Sequence, residues 1–243
     1  MPTSASTFQK LKALKKRIVE CRGYRIAQRN RALKLTYHVF LANHRELEGL
    51  LLKLCDPNFA SEIFGNENRD AATNFGIELN RLFHNYIASA ISVVDHIEKP
   101  IKELYKKTAF LTEYESKKDS TFLSPFCCFV KELRNYFLHE GIPPTSLEAP
   151  ECKEANEPWT NVILDKTLLL NHKTWGPQSR EFLRSAPNTI DLRMMINSYT
   201  DTVESFYIWL SQRQLEINAQ PYRELEILED QLESLLPKDR KDS

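Results

Sequence analysis

Glycine is scarce in this chain, with 6 among 243 residues against 12 prolines. Left-handed turns and two-residue hairpins lean on glycine, so a turn-rich β fold is a poor expectation. No stretch approaches eighteen uncharged apolar residues, which argues against a membrane-spanning helix. The opening MPTSASTFQKLKALKKR lacks the apolar core of a signal peptide. The five cysteines, at 21, 55, 127, 128 and 152, include no C-x-x-C pair. That spacing argues against a zinc ribbon or a redox dithiol, and an odd, scattered set fits a reducing, cytoplasmic setting. There is no G-x-x-x-x-G-K-S/T phosphate loop and no G-x-S-x-G elbow. No cofactor is expected. Asp95-His96 is the nearest approach to a metal pair, but adjacent helical residues diverge and no third ligand accompanies them, so no metal is expected either.

What is present favours helices. Hydrophobic residues make up 42% of the chain and charged residues 27%, enough for a core and a solvated surface. Leu, Lys, Glu and Arg, all good helix formers, are abundant. Net charge is zero but unevenly spread. Residues 1–36 hold ten Lys or Arg against the single acid Glu20, while residues 216–243 hold eight acids against four bases. Such asymmetry marks either a nucleic-acid-facing end or a basic helix packed on an acidic one.

Periodicity divides the chain. Phe8, Leu11, Leu14 and Val19 lie among lysines and predict a basic amphipathic helix within residues 1–24, with Gly23 as its weak point. A second helical run ends at Asp56-Pro57. Residues 68–98 space apolar positions by threes and fours and predict the longest helix, with Pro100 kinking or restarting it. TEYESKKDS, residues 112–120, reads as a polar connection. Ser124 and Pro125 have the form of an N-cap and a first helical position, and Gly141 with Pro143-Pro144 supplies the stop. Residues 145–187 lose the helical period. NVILDKTLLLNHKTW alternates around a turn-like Asp165-Lys166, so a small β-hairpin or irregular insert is expected there; Trp159 and Trp175 flank it, able to stack on bases but expected to pack it onto the helices. Asn188 or Thr189 is then expected to cap the next helix. Beyond Pro221, residues 221–243 form an acidic helix whose Leu225, Leu228, Leu232 and Leu235 make a docking or coiled-coil seam. The predicted architecture is all-α: a single bundle of long antiparallel helices with one small insert, in which helix 68–98 lies against helix 125–140.

The helix from Pro125 carries the chemistry. It reads PFCCFVKELRNYFLHEGIPP. At about 100° per residue, Phe126, Phe129, Val130, Leu133 and Phe137 share one sector and form the core stripe. Arg134, Asn135 and His139 fall outside it. Asn135 and His139 stack four apart, whereas Arg134 and His139 are about 140° apart. A guanidinium grips phosphate, an imidazole moves a proton near neutrality, and an amide orients either one. These three suit metal-independent RNA cleavage, in which the ribose 2′-OH attacks its own phosphate. The competing explanation is electrostatic: cations at a helix C-terminus gain about 0.3–1 kcal/mol each from the helix dipole. His84 and Asn85, in FHNY on the long helix, are further RNA-binding candidates that could face this helix end. Lys12, Lys15 and Lys16 are candidates for holding an RNA backbone.

RNYFLH, residues 134–139, resembles the R-x4-H motif of the HEPN superfamily, and the asparagine after the arginine and the Gly-Pro stop after the histidine are similar too. The resemblance extends over a helical bundle from about residue 30 to 215. It implies a homodimer with the two motifs facing each other, and a ribonuclease with Arg134, Asn135 and His139 as catalytic residues. It also implies a setting in toxin–antitoxin or antiphage defence, with an antitoxin as a possible protein partner. Some HEPN-like proteins are not nucleases, so the alternative is a non-catalytic dimerisation or interaction module.

Overall fold

The computed structural model describes residues 4–64, 69–148 and 160–236. It is a helical bundle with one small antiparallel sheet, as expected, and it groups into two compact units. One comprises residues 1–34 and 208–243, the other residues 35–207.

The first unit holds helix α1 (Ser4–Glu20), the start of α2 (Arg22–Lys53), the end of α9 (Leu192–Ile217) and α10 (Ala219–Ser234). Ile18 of α1 packs with Leu225 and Leu228 of α10, and Cys21, Tyr24, Ala27 and Leu232 lie against them. The leucine seam is therefore a docking face, and the basic helix rests on the acidic one. Lys12, Lys15 and Lys16 remain exposed, and Lys16 reaches Glu20 at 3.8 Å. The residues from 237 onward, part of the expected acidic helix, lie outside the described residues.

Gly23 has a different role from the weak point expected of it. A Cβ built there would stand 2.2 Å from the Pro221 carbonyl oxygen. Glycine at this position lets α2 pass against the backbone that opens α10. Gly23→Ala gains about 1 kcal/mol of helix propensity but collides with a backbone atom that cannot swing away, a strain of up to about 3 kcal/mol. The expected net result is a loss of roughly 1–2 kcal/mol of stability, read as a lower urea midpoint. An unchanged or raised midpoint would show that the approach is not tight.

The second unit is built around α4 (Arg69–Leu104), which continues through Pro100 rather than restarting there. Its buried stripe includes Phe75, Leu79, Leu82, Phe83, Tyr86, Ile87 and Ala90. Phe40 of α2 meets Tyr86 at 5.6 Å between ring centroids. The buried Tyr86 hydroxyl donates to the Ile196 carbonyl of α9 at 2.8 Å and lies 3.1 Å from the Thr200 hydroxyl, which satisfies a phenol that would otherwise be costly to bury. Between α2 and α4 lies α3 (Pro57–Phe64), an element the sequence reading does not anticipate.

The expected polar connection at 112–120 is instead part of α5 (Ala109–Phe122). This helix buries only Phe110 and Tyr114, spaced i and i+4. Two apolar residues leave almost no periodic signal, so packing rather than pattern makes it a helix.

Helix α6 (Pro125–His139) starts and stops where its signals place it. The Ser124 hydroxyl accepts from the Cys127 amide at 3.3 Å, and Gly141 adopts φ 107°. It lies antiparallel to α4. Phe137, near its end, meets Phe83 at 5.1 Å, while Cys127 and Cys128, near its start, share a pocket with Ile91 and Val94. Burial raises the pKa of both cysteine thiols, consistent with a packing role.

The insert does contain a small sheet, but differently arranged. Strand β1 (Thr145–Glu148) pairs antiparallel with β2 (Asn161–Asp165), with Thr145 opposite Leu164. A third strand, β3 (Thr189–Asp191), adds to the other side of β2. Asp165 is not a hairpin turn. Its carboxylate accepts from the Leu168 amide at 3.0 Å and caps the short helix α7 (Lys166–Leu170). Helix α8 (Pro177–Ser185) follows. The cap of α9 is Asp191, whose carboxylate accepts from the Met194 amide at 2.8 Å, not Asn188 or Thr189. Trp159 lies outside the described residues. Trp175 is buried and packs the insert onto α6, stacked on Tyr136 at 5.8 Å and tilted against Phe129 at 5.5 Å.

Candidate functional site

Three flanks of α6 have different surroundings. One flank faces α4, where Phe137 of the apolar stripe meets Phe83, while Phe126 of the same stripe packs on Phe182 and Tyr199. The adjoining flank, with Phe129, Glu132 and Tyr136, receives the insert. Phe129 stacks on Phe182 at 4.8 Å. A Glu132 carboxylate oxygen accepts from the Gly176 amide at 2.8 Å, where an acid meets the start of α8 as the helix dipole favours. His172 packs edge-on to Tyr136 and Trp175, and its Nδ1 lies 3.4 Å from a Glu140 carboxylate oxygen. Partial burial and the nearby Glu140 raise the pKa of the Tyr136 phenol.

The third flank is open. Lys131, Arg134, Asn135, Leu138 and His139 are all exposed. The side chains of Arg134, Asn135 and His139 make no hydrogen bond or ion pair with another described residue. Arg134 borders the strip on the α4 side and His139 on the insert side, about 140° apart and about 7.5 Å apart along the axis. Within one chain they do not converge. Leu138, 59% exposed, stands between them, and Ile142, 61% exposed, extends the apolar surface past the helix end.

The two α4 candidates separate. His84 is exposed and sets its ring edge-to-face with Phe137, centroids 5.4 Å apart, so it lies beside α6. Asn85 instead lines a groove of about 470 Å³ between α2 and α4, with Leu35, Val39, Ala88 and Ser92. The expectation that both face the motif therefore holds for His84 alone; one residue of helical rotation sends Asn85 the other way. Lys12, Lys15 and Lys16 belong to the other unit.

Among the described residues, no group of three or more His, Cys, Asp or Glu side chains is placed to hold a metal ion. No helix among them is long and apolar enough to cross a membrane. Sequence reasoning missed the Glu132, Glu140 and His172 contacts that fix the motif helix to the insert. The only signal for them was Tyr136 and Glu140, polar-tipped residues one turn apart on the flank beside the core stripe.

No protein-family model, curated protein or solved structure matches the chain.

Proposed function

We propose that this chain is a HEPN-like endoribonuclease, cutting RNA without a metal at a site completed by a second copy of itself. The observation that carries the reading is the open flank of α6. There Arg134, Asn135 and His139 have no hydrogen-bonding or ion-pair partner among the described residues, while the other faces of the helix are packed. Two exposed apolar side chains, Leu138 and Ile142, border the polar ones and offer a contact for the second copy. A two-fold axis running parallel to α6 along this strip would set the Arg134 edge of one copy against the His139 edge of the other. That arrangement turns a 140° divergence, about the angle the helix imposes, into a shared cleft.

In such a cleft His139 removes the proton from the ribose 2′-OH, and O2′ attacks the adjacent phosphorus. Arg134 donates to the non-bridging oxygens as charge builds on them. Asn135 orients His139 or the ribose by hydrogen bonding. The exposed Lys12, Lys15 and Lys16 are assigned to the RNA backbone, an attachment that weakens as salt rises. The setting implied by the motif is a toxin–antitoxin or antiphage system, with an antitoxin as a possible partner.

The test uses purified protein with a mixed-sequence RNA in excess EDTA. The expected outcome is cleavage that leaves 2′,3′-cyclic phosphate and 5′-hydroxyl ends, with no cleavage of the same sequence made as DNA. No cleavage of any RNA, together with a stable dimer, would replace this reading with that of a non-catalytic interaction module. Cleavage that stops in EDTA would also overturn it.

A further inference from the structure

Cutting RNA through its 2′-OH needs two proton-handling groups, one for the attacking oxygen and one for the departing 5′ oxygen. The R-x4-H motif supplies one imidazole per chain, and that imidazole lies on the far edge of the strip from Arg134. A second imidazole stands on the near edge. His84 of α4 is exposed and meets Phe137 edge-to-face at 5.4 Å. Arg134 precedes Phe137 by three residues, and Cβ atoms so spaced on a helix lie about 5–6 Å apart. Arg134 and His84 are thus both neighbours of Phe137 in one chain, and neither side chain has a hydrogen-bonding or ion-pair partner among the described residues. A phosphate gripped by an Arg134 guanidinium turned toward Phe137 would come within reach of His84.

Resting on the ribonuclease reading above, we infer that His84 is a further catalytic residue, the general acid that protonates the leaving 5′ oxygen. The contact with Phe137 holds the imidazole beside the motif helix at 5.4 Å between ring centroids while leaving it exposed to a substrate. The step balances. The 2′-OH proton passes to His139 of the second copy, the O2′–P bond forms, and the P–O5′ bond breaks. The Nε or Nδ proton of His84 then goes to O5′. The products are a 2′,3′-cyclic phosphate and a 5′-hydroxyl, with no net gain or loss of protons.

The experiment compares the full chain with its His84→Gln variant on two substrates of one sequence. One carries the ordinary 5′ oxygen at the scissile position and the other a bridging 5′ sulfur, whose thiolate departs without a proton. The expected result is a loss of about 10²-fold on the oxygen substrate, with cleavage of the sulfur substrate near the parent rate. The ratio of the two rates is insensitive to how much of the variant is folded. Equal losses on both substrates, or no loss on either, would overturn the acid role of His84 and leave the ribonuclease reading intact. A parent chain that cuts neither substrate would overturn the ribonuclease reading, and the acid role with it.

Discussion

Arg134→Ala and His139→Ala are each expected to lower RNA cleavage by about 10²–10⁴-fold while leaving the thermal midpoint nearly unchanged. The pairing of those outcomes follows from where the side chains sit. Both are exposed and have no side-chain partner among the described residues, and exposed substitutions away from special features stay within about 0.5 kcal/mol of the parent. Each removes one transition-state contribution: the cation facing the phosphorane oxygens, or the group that takes the 2′-OH proton. Groups that act as a unit are not additive, so the double variant should be little worse than the poorer single one. The electrostatic explanation of the motif makes the opposite forecast. If the two cations only complement the dipole of α6, each loss costs about 0.3–1 kcal/mol of stability and has no effect on cleavage. Kinetics and a melting curve on the same preparations therefore separate the two. Parent-level cleavage by His139→Ala would sink the site assignment.

The second copy adds a sharper version of the same experiment. If Arg134 of one chain works with His139 of another, mixing the two inactive single variants regenerates mixed dimers with one intact cleft. Such a mixture should recover part of the parent activity. A site held within one chain could not recover at all, because each chain would remain defective. Recovery thus reports the shared cleft directly, using the 140° divergence that makes a single-chain site hard to build.

Much of the scaffold was legible because local chemistry decided it. Ser124-Pro125 and Gly141 bound α6 through a hydroxyl cap and a left-handed φ, both determined within a few residues. The leucines of α10 reveal their docking face through spacing alone. Where the reading fell short, the deciding contact was distant or the pattern too sparse. Helix α5 has two buried residues to mark it. Asp165 looks like a turn residue, yet the same carboxylate geometry serves equally as a helix cap, and only the following Leu168 amide decides between them. The clamp of Glu132 on Gly176 spans 44 residues, and nothing near either residue forecasts it. The site divides along the same line. The identities of Arg134, Asn135 and His139 were readable, as was their divergence on an ideal helix. That α4 and the insert would cover every flank of α6 except theirs depends on tertiary packing, as does the separation of His84 from Asn85.

Phe83→Ala should lower stability by about 3–5 kcal/mol. Phe83 is fully buried, at 0% exposure, and its ring meets Phe137 edge-to-face at 5.1 Å. Truncation removes the transfer free energy of the ring, leaves a cavity at the α4–α6 seam, and forfeits an aromatic pair worth about 0.5–1.5 kcal/mol beyond its area. Phe137→Ala should cost less, because Phe137 is only half-buried. The double variant should fall short of the sum of the two by that pair energy, about 0.5–1.5 kcal/mol. Urea denaturation of the four proteins measures all of this, and additive losses would show that the two rings do not support each other. The cycle also bears on chemistry, since Phe137 touches His84 as well as Phe83. Phe137→Leu keeps most of the packing volume but removes the ring that His84 packs against at 5.4 Å. It should therefore hold most of the stability while weakening cleavage of an oxygen-leaving substrate more than of a sulfur-leaving one, a division that a purely structural ring would not produce.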